Sequence, residues 1–149
     1  MTTPPTALAR RAPRCAGLVV VVILALLIGA GCQEAAFSSA IAVNDTRSSV
    51  GRSTLTLEAD LSAVAQRHAE AMARRGRLYH SYSSSRPPAG YRTVGENVGR
   101  GHTVSGIHSA LRASPGHYSN MVNPSFSAFG VGSAYGSDGK LYVTQLFAG

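Results

Sequence analysis

The 149-residue chain has no tryptophan, one lysine and only two cysteines. Cys15 and Cys32 both fall in the N-terminal stretch, so everything after Cys32 is without an internal disulfide. A domain of this kind outside the cytoplasm has to be held by its apolar core. The stretch beyond Cys32, about 115 residues, is long enough for that. Charge is also scarce, at 14% of residues, and its balance is basic. Three of the fourteen basic residues are Arg10, Arg11 and Arg14; the other eleven face seven acidic residues, a net of +4 beyond the leader. They are scattered, and no basic patch is interleaved with aromatics, which argues against a nucleic-acid partner. Mild attraction to an anionic envelope surface is compatible with the sign. No H-E-x-x-H or other short ligand motif is present, and there is no internal repeat.

What is there begins with a leader. Arg10, Arg11 and Arg14 precede a charge-free stretch from Cys15 to Cys32, within which Leu18 to Ile28 is unbroken apolar sequence. That is the pattern of a bacterial-type export signal. The alternative is an uncleaved N-terminal anchor, although the run is short against the roughly 20 apolar residues of a typical span. The run closes on Gly29-Ala30-Gly31-Cys32, which resembles a lipoprotein signal with Cys32 as the acylated residue. Gly29 stands where a bulky aliphatic is usual, so ordinary cleavage near Ala30 or Ala40 is the competing expectation. Either way the domain is expected outside the cytoplasm, meeting a membrane only through this N-terminal segment. Residues 1–32 are thus read as signal or anchor, 33–40 as a tether of small and polar residues, and 41–149 as the folded domain.

Within that domain, Ala40 to Thr46 can open a helix and Arg47 to Ser53 reads as a turn. Leu57, Leu61, Val64, His68 and Met72 recur at helical steps, predicting a helix from Leu57 to Arg75. Thr56 is its expected N-cap and Gly76 its stop. Leu78 to Tyr82 reads as short and extended, Ser83 to Thr93 as a polar loop, and Glu96 to Gly99 as a strand. Thr103 is placed to cap a helix running to Ala113. Ser114-Pro115 then reads as the N-cap and N1 of a short helix ending before Pro124. Phe129–Tyr135 and Leu141–Phe147 are two strands around the turn Gly136-Ser137-Asp138-Gly139. In the second, Leu141, Val143, Gln145 and Phe147 face one way and Tyr142, Thr144 and Leu146 the other. Helices mixed with antiparallel strands give an α+β class.

The chemistry-bearing residues are few. Glu96 lies in a glycine-flanked strand, His117 in the Ser-Pro-Gly-His turn, and His80 just upstream in Leu-Tyr-His-Ser. His68 falls on the apolar stripe of the long helix and reads as a hydrogen-bonded core histidine, His102 as an exposed loop residue, and His108 as a flanking residue. Ser81 beside His80 is a poor nucleophile: neighbours on a strand point to opposite faces, and no buried aspartate orients the imidazole. Tyr79, Tyr91 and Tyr118 are candidates to line an apolar groove for a lipid, against ordinary packing at the sheet edge.

Taken in order, these segments resemble the CAP superfamily of cysteine-rich secretory, antigen 5 and pathogenesis-related proteins, in its compact bacterial SCP-like branch. The resemblance runs from about Asn44 to Phe147. It is carried by Asn44 with Arg47, Leu57 to Leu61, His68-Ala69 with Met72-Ala73 and Gly76, His80-Ser81, Gly95-Glu96-Asn97-Val98, Ser114-Pro115-Gly116-His117 with Asn120-Met121, Phe126 with Gly130-Val131-Gly132, and Tyr142-Val143 with Gln145 and Phe147. Leu111 replaces a common tryptophan, Ser114 stands where animal and plant members carry a second glutamate, and their disulfides are absent.

The resemblance implies an α-β-α sandwich, a small antiparallel sheet between helical layers. It also implies that His80, Glu96 and His117 line a central polar cleft, a sensible ligand set for a divalent metal such as Zn²⁺ with positions left for water. The full two-His, two-Glu set cannot form. The expected function is therefore a non-catalytic binding module of the cell envelope, its ligand an envelope component or a lipid, with no catalytic residue assigned. A metal-dependent hydrolase or protease and a structural protein with a vestigial cleft are the alternatives.

Overall fold

The computed structural model describes residues 16–81 and 88–149, with side chains from residue 31 on. Four helices and four strands follow one another as α1 (Ala16–Ser49), β1 (Thr56–Leu57), α2 (Ala59–Arg75), β2 (Val94–Gly101), α3 (Val104–Ala113), α4 (Pro115–Val122), β3 (Ala128–Tyr135) and β4 (Leu141–Ala148). The sheet has the order β1-β3-β4-β2. β4 pairs antiparallel with both β2 and β3, while two-residue β1 joins β3 in parallel. The α+β class and the sandwich are as expected; the parallel edge strand is an addition.

The pleat sorts the core into two layers. Phe129, Val131, Leu141, Val143 and Phe147 pack with Val43 of α1, Ile107 and Leu111 of α3 and Met121 of α4. The alternate residues Ala128, Ala134, Tyr142 and Leu146 pack with Leu61, Ala65, Ala69 and Met72 of α2. The predicted alternation of the last strand is thus realised, with helices on both faces. On the α2 side the approach is backbone to backbone. A Cβ on Gly130 would come 2.1 Å from the Leu61 carbonyl carbon, and one on Gly132 2.2 Å from the Gln66 nitrogen.

Several boundaries differ from expectation. Residues 33–40 form no tether: they are helical and belong to α1, with Ala35, Ser39 and Ala40 buried against the sheet. Small side chains are what that close packing requires, so a composition that reads as linker is here a packed face. α2 is capped by Glu58, not Thr56, because Thr56 and Leu57 are drawn into β1; Leu57 is exposed and off the core stripe. Gly76 ends α2 as predicted, at φ 64° with its N–H bonded to Ala73. Residues 78–81 form no strand. Tyr82 and residues 83–87 of the predicted polar loop lie outside the described residues. Among the described residues no helix is long and apolar enough to cross a membrane.

Candidate functional site

β2 is an edge strand, and its pleat decides how the predicted trio is arranged. Val94 and Val98 join the clusters on the α2 side of the sheet. Glu96 shares their face, and Asn97 takes the other.

Glu96 is 7% exposed. A buried carboxylate needs hydrogen-bond donors, and Glu96 finds them in the loop after α2. Oε2 accepts from the Ser81 backbone N–H at 2.9 Å and from His80 Nδ1 at 2.9 Å, while Oε1 accepts from the Ser81 hydroxyl at 2.7 Å. Donation from Nδ1 leaves Nε2 of a neutral His80 ring with its lone pair. Buried His68 stands behind the carboxylate, its Nε2 3.7 Å from Oε1, and donates from that nitrogen to the Tyr79 carbonyl at 2.8 Å. It is the hydrogen-bonded core histidine expected on the stripe.

His117 approaches from the opposite face. Its backbone carbonyl accepts from Asn97 Nδ2 at 3.0 Å, and its Nδ1 pairs with the Ser114 hydroxyl at 2.9 Å. Ser114 is the N-cap of α4 but makes no capping hydrogen bond with its side chain, which serves the imidazole instead. Burial and then the nearby His80 push the His117 pKa below its usual value, so the ring is neutral at pH 7. The edge of β2 therefore separates the trio: His80 is bonded to Glu96 on one side and lies near His117 on the other.

This geometry bears on what the site can hold. Both Glu96 oxygens are occupied, and among the described residues no group of three or more His, Cys, Asp or Glu is arranged to hold a metal. Glu96 fixes the orientation of His80 through the hydrogen bond to Nδ1.

Ser81 does not behave as a strand residue, whose neighbours diverge. In an irregular loop neighbours can converge, and His80 and Ser81 clasp the same carboxylate. A buried amide network lies beneath. Asn120 Nδ2 donates to Asn97 Oδ1 at 3.0 Å, Asn97 Nδ2 to Gln145 Oε1 at 3.1 Å, and Gln145 Nε2 to the Ser39 hydroxyl at 3.1 Å. The Asn97 and Asn120 motifs are visible in the sequence, but nothing there marks Ser39, which sits in the supposed tether.

The remaining candidates are dispersed. His102 is exposed, and His108 pairs through Nε2 with the Thr46 hydroxyl at 2.9 Å. Tyr79 packs with the Met72 cluster, Tyr91 with the Leu61 cluster, and Tyr118 lines a separate cavity with Arg112, so the three tyrosines form no common groove. An apolar slot of about 1010 Å³ does exist, away from the trio, between the Cys32–Phe37 turns of α1 and the outer face of α2.

The profile of the cysteine-rich secretory protein family, CAP, matches residues 41–147. No curated protein sequence matches the chain at a significant level. Among solved structures, an outer surface protein of Borrelia burgdorferi superposes with a TM-score of 0.68 at 16% identity, over 77% of this chain and 92% of that one. An extracellular protein containing an SCP domain from Bacillus anthracis gives 0.59 at 24% identity, over 80% of this chain and 40% of that one. A cysteine-rich secretory protein of Staphylococcus aureus gives 0.60 at 19%, over 78% and 39%. The chain spans about two-fifths of the length of these last two. With the family profile covering most of its length and the sandwich in place, the chain belongs to the cysteine-rich secretory protein (CAP) family.

Proposed function

We propose that the protein is an exported binding module of the cell envelope, and that its polar cleft at the β2 edge takes a divalent cation between His80 and His117. One observation carries the reading: both oxygens of the buried Glu96 carboxylate are engaged by the 80–81 loop, leaving the imidazoles to meet a ligand. Two imidazole ligands suit zinc or a similar borderline ion. With so few protein ligands the site binds weakly and leaves positions for an envelope ligand. Export is supported by the basic and apolar leader, and by the extracellular and surface relatives that share the fold. Cys32 is the residue for a lipid anchor.

A bound zinc ion would supply Lewis acidity to water or to a ligand oxygen. The hydrolase alternative also needs a general base, and Glu96 is committed to holding the loop. The Ser81 hydroxyl donates to that carboxylate, which does not leave it poised as a nucleophile.

The test is a calorimetric zinc titration of the full chain at pH 7.5, with Cys15 and Cys32 replaced by serine to remove competing thiols. Saturable binding is expected, abolished by the His80→Ala/His117→Ala pair. Glu96→Gln should keep binding but weaken it by about ten- to a hundredfold, as loss of a partner behind a metal ligand does. Zinc binding that survives the double variant would overturn the assignment. Failure of the wild-type chain to bind would leave the trio as scaffold, with Glu96 only a fold determinant.

A further inference from the structure

Arg47, in the last turn of α1, is 2% exposed. Its guanidinium is held by backbone carbonyls alone: Nε donates to Ser53 at 2.7 Å, and Nη1 to Met121 at 2.8 Å and Asn123 at 3.0 Å. No carboxylate pairs with it among the described residues. Nη2 donates to no described residue. Carbonyl dipoles and the α1 C-terminus soften the charge but do not cancel it, and buried charges are ordinarily paired. Burial, and then Arg52 as a second cation nearby, push the Arg47 pKa down from its usual value.

Both arginines wall a cavity of about 290 Å³ beneath the turn that links α1 to β1. Gly51 shapes that turn at φ 72°, and the Arg47 carbonyl accepts from the Val50 and Arg52 N–H groups. Ser53, Thr54 and Ser127, each with a hydroxyl, line the same walls, and no acidic residue does. The surroundings are wrong for a cation and too polar for an acyl chain. Two guanidinium groups match the charge of a free phosphate, about −1.5 to −2 at neutral pH, and exceed the single negative charge of a phospholipid diester. Hydroxyls and guanidinium edges are also the donors that phosphate oxygens accept from.

We propose that this cavity binds a phosphate group, held by Arg47 and Arg52 with hydroxyl donors from Ser53, Thr54 and Ser127. The phosphate is either free or the headgroup of an anionic phospholipid. The site is separate from the β2-edge cleft and does not rest on the reading given for that cleft. It also gives the Asn44-to-Arg47 turn of α1 a role beyond tying the end of α1 to the end of α4.

The test uses the full chain and inorganic phosphate, titrated calorimetrically at constant ionic strength against chloride. Saturable binding is expected. Arg52 is exposed, so Arg52→Gln should melt like the parent without phosphate yet bind it about tenfold more weakly or worse, the usual loss for a charged hydrogen-bond donor. Ser127→Ala should give a smaller loss. Arg47→Gln removes a buried strut and is informative only if it folds, which is why Arg52→Gln decides. In parallel, the chain is offered vesicles of phosphatidylcholine with and without phosphatidylglycerol. Binding that requires phosphatidylglycerol, is competed by inorganic phosphate and falls in Arg52→Gln assigns the headgroup; phosphate binding without such vesicle dependence assigns the free ion. The proposal is overturned if phosphate gives no saturable heat, or if Arg52→Gln binds it as the parent does. Vesicle binding that neither phosphate nor Arg52→Gln alters would come from the apolar leader and would count against the site as a headgroup receptor.

Discussion

At the scale of single residues, the histidines separate by what each ring nitrogen touches. His108 on α3 faces α1, where Nε2 meets the Thr46 hydroxyl and Nδ1 is buried with no partner in the described residues. Burial first, then Arg112, push its pKa down, with Asp45 opposing weakly. The sign of the pH dependence follows. A histidine whose folded pKa lies below its unfolded value of about 6.5 takes up its proton more readily in the unfolded chain. The stability it supports is therefore full above about pH 6.5 and is lost as pH falls toward the folded value. His117, shifted the same way by burial and His80, adds to the effect. Thermal unfolding followed from about pH 7.5 to about pH 5 should show the melting temperature falling, and His108→Gln should flatten part of that fall. An unchanged slope in the variant would mean that His108 is solvated in the native state. None of this is legible in the sequence. The sequence places His108 beside Ile107, but only the packing of α3 on α1 reveals that its outer nitrogen is sealed. His68 is legible, because a histidine on an apolar stripe must find a backbone partner, and it does.

At the scale of elements, the strands are easier to read than the helix that opens the fold. β3 and β4 alternate cleanly around a Gly-Ser-Asp-Gly turn, and the structure extends each predicted strand by a single residue. The 33–40 segment is opaque because hydrophobic periodicity cannot see small residues. Ala35, Ser39 and Val43 lie at steps of four and are all buried, yet only Val43 registers as apolar bulk. The same preference for smallness governs the α2–β3 contact, where Gly130 and Gly132 let the helix backbone lie directly on the strand. A methyl group on Gly132 would stand 2.2 Å from the Gln66 nitrogen and 2.3 Å from its Cα, backbone atoms that cannot turn aside. Gly132→Ala should therefore lift α2 and cost about 3 kcal/mol or more, the upper end for overpacking. Urea denaturation checks this, with Gly139→Ala as a comparison. Gly139 is open to solvent and is constrained only by its φ of 70°. That substitution should cost about 1 kcal/mol. Equal costs at the two positions would show that α2 can slide to accommodate the methyl.

At the scale of the whole molecule, the candidate site and the N-terminal segment are not independent. Glu96 and Asn97 are adjacent on β2, Asn97 is bonded to Gln145 in β4, and Gln145 is bonded to Ser39 in α1. A buried amide left without its partner costs roughly 1–3 kcal/mol. Ala35 and Ala40 add apolar contacts to the core on that face. This places the functional boundary of the domain earlier than the sequence reading at residue 41 does, and earlier than the stretch matched by the family profile. It also bears on processing. Cleavage near Ala40 would remove Ser39 and the first buried turns of α1, whereas cleavage at or before Cys32 would leave them intact. The Cys32 carbonyl itself accepts from the Ser133 hydroxyl at 2.5 Å, so contacts with the sheet reach back at least to that residue. Two shortened chains make the comparison, one beginning at Gln33 and one at Ile41. The first should unfold cooperatively near the temperature of the full chain. The second should melt about 10 °C lower or more, as loss of about 2 kcal/mol or more does in a domain of this size, and its Asn97 amide should exchange hydrogen faster. If the two melt alike, α1 before Ile41 is an appendage and 33–40 is a tether in function despite its helical form. If they differ as expected, the mature N-terminus found by mass spectrometry should lie at or before Cys32, since a cut further on opens the core beneath the cleft.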